Sequence, residues 1–273
     1  MRETAYAKIN LALHVRERRP DFYHRIETIF AFCEDGDVLS VEASEGLSLS
    51  LEGPFATALA VDDDNLVLQA ARALAGRYSV TKGAHLILDK RLPVASGVGG
   101  GSADAAAALR LLVRFWGIKA PEEDLLAIAA KLGADVPACL LSRTMRGDGR
   151  GDALAPWGGH GFAGTPLLLV NPGVAVSTRD VFARWDGVDR GALPDDHTDG
   201  RNDLEAPALA IAPVIADVLA ALRQCGGARL VRMSGSGATC FALFESEAAR
   251  DGAAAAIRDT HPDWWQLASR LRP

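Results

Sequence analysis

Residues 92–110 read LPVASGVGGGSADAAAALR. Gly97, Gly99, Gly100 and Gly101 fall within five positions, and Ser102, Asp104 and alanines at 105 to 108 follow directly. Residues without a Cβ reach positive φ at little cost and let a ligand approach the backbone amides closely. The pattern from Ala103 to Trp116 has helical periodicity and stops at Gly117, with Ser102 in the position of an N-cap. The unpaired N–H groups of that first turn point back into the glycines, an arrangement that binds anions and phosphate above all. The alanines let the helix pack closely beneath such a cargo. Two familiar phosphate loops are excluded. The chain has no Gly-Lys pair, which the P-loop requires, and the sixth position counted from Gly97 is Ser102, where a dinucleotide fingerprint needs glycine. An ordinary strand-to-helix turn needs one or two glycines.

The chain of 273 residues is long enough for one large domain or two, and 49% hydrophobic with 23% charged residues is ordinary for a globular protein. A net charge of −6 speaks against nucleic acid or an anionic membrane held by a general basic field, while leaving room for a local site for a small anion. Cys33, Cys139, Cys225 and Cys240 are far apart, form no CxxC pair and read as reduced, packed thiols. MRETAYAKINLALHV lacks the pattern of a secretory signal, and the apolar stretch 206–222 contains Pro207, Pro213 and Asp217, against a membrane span. A cytoplasmic location is expected.

Ala5 to Val15 alternates at Ile9, Leu11, Leu13 and Val15 and reads as a strand, followed by strands at 38–41 and 47–51. Asp64-Asn65 opens a helix with apolar Leu66, Leu68, Ala71 and Leu74, and 85–89 (HLILD) is the strand that leads to the glycines. Pro121 followed by three acids opens a helix that ends near Gly133. The glycine-rich stretch 143–164 reads as a handover between domains. Beyond it come a strand at 166–170, a helix capped by Ser177 and a single helix over 204–224. Strands at 229–233 and 239–244 flank a second bare segment, SGSGA, and a helix near 247–258 and a strand at 265–269 close the chain. The pattern predicts an α+β protein with two lobes and a cleft between them.

The glycine stretch resembles the second motif of the superfamily named for galactokinase, homoserine kinase, mevalonate kinase and phosphomevalonate kinase (GHMP). AYAKINLALHV resembles its first motif and MSGSGATCFALF its third, in the right order. AKINLALHV, FYH, DNLVLQAA, KRLPVASGVGGGSADAA, LGADVPACL, NDLE and SGSGATCFALF together resemble one branch of that superfamily. Members of that branch phosphorylate the 2-hydroxyl of 4-diphosphocytidyl-2-C-methyl-D-erythritol in the non-mevalonate isoprenoid route. The resemblance implies a two-lobed GHMP-kinase fold with its active site in the inter-lobe cleft. It divides the chain into an N-terminal kinase domain, 1–158, and a C-terminal one, 159–273. It also implies an ATP-dependent small-molecule kinase with Mg2+ escorting the nucleotide, a substrate carrying a cytidine diphosphate, no nucleic-acid or membrane partner, and a monomer or weak homodimer.

The residue roles implied are as follows. Asp135 in LGADVP is the catalytic base, and Lys8 bridges it to the acceptor hydroxyl; read alone, they fit a turn-capping aspartate and a snorkelling strand lysine. An isolated ammonium in so apolar a strand is costly, so Lys8 calls for a partner. Asn65, Lys90, Gly97, Val98, Gly99, Gly100, Gly101, Ser102 and Ala103 serve ATP. Asn65 also suits a helix cap. Tyr23 and Phe182 sandwich the cytosine, His24 reads its edge, and Asn10 lies near the methylerythritol hydroxyls. Gly235 and Gly237 of SGSGA pack near phosphates and acceptor, or form a tight turn between strands. No metal ligand is assigned, because Ala103 stands where the family usually has a second serine. Ser96, where glycine is common, and Ala95 before it stiffen the start of the loop. The alternatives are another GHMP kinase acting on homoserine or a mevalonate derivative, and a nucleotide-binding protein without catalysis.

Overall fold

Strand β1, Arg2–Arg18, is buried on both faces through its middle: Ile9, Leu11 and Val15 on one side, Lys8, Asn10, Ala12 and His14 on the other. The alternation seen in the sequence therefore marks two buried faces of different polarity. The computed structural model to which this strand belongs describes residues 1–20, 23–62, 64–157, 162–194 and 196–273. Phe22 of the FYH motif lies outside them. The chain forms two compact units, neither of them one uninterrupted segment. The first comprises Met1–Ala7, Asp35–Val94 and Gly99–Ser142; the second comprises Lys8–Glu34, Ala95–Val98 and Arg143–Pro273. The division at residue 158 falls outside the described residues. The compact units also interleave along the chain, because β1 and the 19-residue β2, His24–Glu42, each contribute to both.

In the first unit, β3 (Leu47–Glu52) pairs in parallel with β4 (Ala84–Asp89), and β4 pairs antiparallel with residues 38–42 of β2. Helix α1, Leu66–Tyr78, joins β3 to β4; as expected, Asn65 caps it, its Oδ1 accepting from Val67 N at 3.0 Å. Helices α2 (Gly100–Trp116), α3 (Glu122–Leu132) and α4 (Val136–Leu141) complete the unit. Ala103 and Ala105 to Ala108 are fully or almost fully buried, the close packing that small side chains permit. Ser102 does not cap α2. The helix starts two residues earlier, with Gly99 as N-cap at φ 66°, a left-handed conformation that glycine adopts without a Cβ clash. Ala103 N donates to Gly99 O at 2.8 Å, which places Ser102 inside the first turn.

In the second unit, β5 (Met145–Gly149) pairs with residues 26–30 of β2 and with β6 (Ala153–Pro156). This hairpin lies in the glycine-rich stretch expected to be a handover. A Cβ on Gly147 would stand 2.6 Å from Phe30 Cε2, so here glycine marks a close approach within a strand. A four-stranded antiparallel sheet follows, ordered β10–β7–β9–β8, from β7 (Pro166–Asn171), β8 (Ala228–Met233), β9 (Cys240–Phe244) and β10 (Trp265–Arg270). Its helices are α5 (Thr178–Ala183), α6 (Glu205–Ile211), α7 (Val214–Gln224) and α8 (Glu247–Thr260). The helix expected over 204–224 is two helices, because Pro213 lacks the N–H that would continue α6 and instead becomes the N-cap of α7. Leu168, Val170, Ala242, Phe244, Val218, Leu222 and Ile257 form much of the core. No helix among the described residues is long and apolar enough to cross a membrane.

Candidate active site

The second unit joins the three motifs through the backbone. Lys8 N donates to Val98 O at 2.9 Å, and Thr239 N to Ser96 O at 3.1 Å. Ser234 Oγ donates to Gly97 O at 2.9 Å while accepting from Asn10 N at 3.3 Å. The contact leaves no room for side chains: a Cβ on Gly97, at φ +79°, would lie 2.5 Å from Ser234 O and 2.9 Å from Gly237 O. On Gly235 it would meet Gly97 O at 3.1 Å and Asn10 Oδ1 at 3.3 Å. Glycine at 97 and 235 is thus required by the mutual approach of two bare segments distant in sequence. At the start of the loop the left-handed residue is Ala95, at φ 52°, while Ser96 is buried with its carbonyl engaged. An alanine in that region costs roughly 1–2 kcal/mol.

Lys8 is buried at 4% exposure and has the partner its surroundings demand. Its Nζ donates to Asn10 Oδ1 at 2.9 Å and stands 5.5 Å from the centre of the Phe30 ring. Asn10 Nδ2 donates to Thr28 Oγ1 at 2.8 Å, and Thr28 Oγ1 donates to Ala12 O at 2.6 Å. Every link has a direction, so the ammonium is oriented by a chain of neutral groups. Thr28 and Ser234 gave no separate signal in the sequence.

Asn202 of NDLE, a motif without an assigned role in the sequence, pins the SGSGA turn. Its Nδ2 donates to Met233 O and Gly235 O, both at 2.8 Å, and its Oδ1 accepts from Leu204 N at 3.0 Å. Its neighbour Asp203 accepts from Val15 N at 2.8 Å through Oδ2, which ties the same motif to β1. A cavity of about 750 Å³ lined by Arg201, Asn202, Asp203, Glu205 and Arg232 contains none of the residues expected to touch substrate.

The first unit holds Asn65, Lys90, Gly99 to Ala103 and Asp135. Asp135 is the N-cap of α4 at φ −85° and makes no capping bond with its side chain, so the turn-capping role is absent. Lys90 is buried at 2% exposure and donates to Asp37 Oδ2 at 2.5 Å and to Asp104 Oδ2 at 2.7 Å. Burial opposes its charge, yet the two carboxylates raise its pKa overall. Burial pushes the Asp104 carboxyl up to about 7, with Lys90 opposing and the Asp37 charge adding to the rise. Asp37 carries no motif that would have revealed it, and Asp104 stands in the GGGSADAA stretch without an assigned role.

Of the residues expected at the acceptor base, His24 and Phe182 are brought together, with ring centres 4.9 Å apart, and Trp185 meets His24 edge-on at 5.7 Å. Arg18 Nε donates to His24 Nε2 at 3.4 Å, and burial followed by the Arg18 charge lowers the imidazole pKa. With Nε2 accepting from Arg18, the neutral form of the ring has Nδ1 as its donor. Tyr23 is 53% exposed, with the Arg150 guanidinium 5.2 Å from its ring centre. Ser177 Oγ caps α5, which carries Phe182, by accepting from Asp180 N at 3.3 Å.

A model of the GHMP kinases N terminal domain matches residues 65–143, and one of the GHMP kinases C terminal domain matches residues 192–263. A 4-diphosphocytidyl-2-C-methyl-D-erythritol kinase from Rhizorhabdus wittichii is 58% identical, with 99% of this chain and 94% of that protein aligned. The crystal structure of a 4-(cytidine 5'-diphospho)-2C-methyl-D-erythritol kinase superposes with a TM-score of 0.82 at 33% identity over 100% of both chains. A homoserine kinase from Cytophaga hutchinsonii superposes at 0.72 with 18% identity over 98% of this chain and 95% of that one, a likeness of fold alone. The motifs that meet at Lys8, Gly97 and Ser234 are thus carried on a chain matched from end to end, and this chain belongs to the 4-diphosphocytidyl-2-C-methyl-D-erythritol kinase family of the GHMP kinases.

Proposed function

We propose that this chain transfers the γ-phosphoryl group of ATP to the 2-hydroxyl of 4-diphosphocytidyl-2-C-methyl-D-erythritol, releasing ADP, in the non-mevalonate route to isoprenoid precursors. The observation that carries the reading is the junction of the three motifs at Lys8, Gly97 and the SGSGA turn. The hydroxyl oxygen attacks the γ-phosphorus as the bond to the β-bridging oxygen breaks, and the hydroxyl proton passes to Asp135. Lys8, oriented by Asn10, supplies positive charge to the developing negative charge. Asn65 and Lys90 serve the nucleotide end, and residues 97–103 with the first turn of α2 hold the phosphates. Asn10, Gly235 and Gly237 border the acceptor.

Tyr23 and Phe182 flank the cytosine. The neutral His24, a single N–H donor, suits an acceptor atom on the base edge. A homoserine or mevalonate acceptor has no base for these rings to recognise. Mg2+ belongs to the reading as the ion that escorts ATP. The described residues contain no group of three His, Cys, Asp or Glu side chains able to hold a metal. The loop offers the Ser102 hydroxyl, with no second hydroxyl at Ala103. That sparse donor set fits an ion carried mainly by nucleotide phosphates and water. The division of labour at residue 158, a cytoplasmic setting and a monomer or weak homodimer complete the proposal.

A coupled ADP-release assay with the diphosphocytidyl substrate, homoserine and mevalonate in parallel tests it. Turnover with the diphosphocytidyl substrate is expected. Turnover with homoserine alone would overturn the acceptor, and none with any acceptor would leave a nucleotide-binding protein.

A further inference from the structure

Lys90 stands between two segments that the glycine loop separates. Its Nζ donates to Asp37 Oδ2 at 2.5 Å and to Asp104 Oδ2 at 2.7 Å. The other oxygen of Asp37 accepts from Arg91 N at 2.6 Å and from Leu92 N at 2.8 Å, the residues by which the chain leaves β4. Asp104 lies one turn inside α2, on the far side of the loop. The contact with the helix start is direct, since a Cβ on Gly100 would come within 3.0 Å of Lys90 Nζ. Asp37, Lys90 and Asp104 are all at most 2% exposed.

Such a cluster is costly for folding stability alone, because each buried charge gives up its hydration and an apolar trio of similar volume often serves as well. What these polar groups provide is direction. The carboxylate of Asp37 fixes the backbone at 91–92, and its ammonium partner fixes the first turn of α2. The N–H groups of that turn form the anion site of the proposed function.

We infer that Asp37, Lys90 and Asp104 form a clamp that holds both stems of the glycine loop and thereby sets the affinity for the phosphates of ATP, so that Lys90 acts through the loop and Asp37 and Asp104 are positioning residues. The inference rests on the reading of this loop as the ATP phosphate cradle. It assigns a role to two carboxylates that touch no substrate.

The full-length chain with Asp104→Leu, and separately with Asp104→Asn, tests the clamp. Leucine removes the acceptor and leaves a neutral Lys90–Asp37 pair, whereas asparagine keeps an oxygen for Lys90. Circular dichroism first establishes that both variants are folded. Binding of a non-hydrolysable ATP analogue by calorimetry and steady-state kinetics are then measured. The leucine variant is expected to bind the analogue about tenfold more weakly, about 1.4 kcal/mol. Its KM for ATP rises about as much, while kcat and KM for the acceptor stay within about twofold and asparagine restores wild-type values. Wild-type ATP affinity in a folded leucine variant, or equal rises in both KM values, would overturn the clamp. A wild-type chain that binds no ATP analogue would overturn the phosphate-cradle reading itself, and the clamp with it.

Discussion

Lys8 and Lys90 are both buried, at 4% and 2% exposure, and the two sites use the same side chain in different ways. Lys90 ends on two carboxylates of its own unit, Asp37 and Asp104. Lys8 donates to the amide oxygen of Asn10, a neutral acceptor that orients the ammonium. The two carboxylates on Lys90 tie two chain segments together, whereas the Asn10 dipole aims the Lys8 ammonium, whose proposed part is in the transfer itself. The two lysines should therefore fail differently when altered.

The largest difference is expected for Lys8→Met, which keeps most of the side-chain volume and removes the ammonium. Turnover should fall by roughly 10²–10³, as when a positioned electrostatic donor is removed, with ATP affinity nearly unchanged. Asp104→Leu, by contrast, should change the KM for ATP and spare kcat. A Lys8 variant that loses ATP affinity and keeps its turnover would reverse the comparison.

A smaller effect concerns pH and stability. Burial lifts the Asp104 carboxyl from its ordinary value of 3.8 to about 7, so between those values the folded chain holds a proton that the unfolded chain has released. The folded state is thereby favoured below about pH 4 and loses this contribution as pH rises through about 7. The carboxylate of Asp37, which faces the same Lys90 Nζ, adds to the rise. Asp104→Asn carries a permanent amide there, so its urea midpoint should gain on that of wild type as pH rises from 4 to 7. Parallel midpoints across that range would show that Asp104 does not titrate this way.

The same contrast explains what was legible in the sequence. The Asn65 and Ser177 caps and the need of Lys8 for a partner are local matters. Each follows from residue chemistry within a few positions, and the structure bears them out. The start of α2 was misplaced by Ser102, because a serine before an alanine run mimics an N-cap when glycine can take the left-handed cap itself. The long helix broke at Pro213, a residue whose missing N–H was visible in the sequence. The β5–β6 hairpin was hidden because Gly147 is dictated by Phe30, more than a hundred residues earlier. Asp37 was equally hidden, since its partner Lys90 is 53 positions away and a lone aspartate gives no sign of such a bond.

The central claim is that this chain transfers a phosphoryl group with Asp135 as the proton acceptor. The most direct test is single-turnover phosphorylation of 4-diphosphocytidyl-2-C-methyl-D-erythritol by purified, folded Asp135→Asn beside the unaltered chain at saturating ATP. The account predicts a rate lower by roughly 10²–10⁴ with substrate binding retained. A folded variant that phosphorylates the substrate at the rate of the unaltered chain would contradict it.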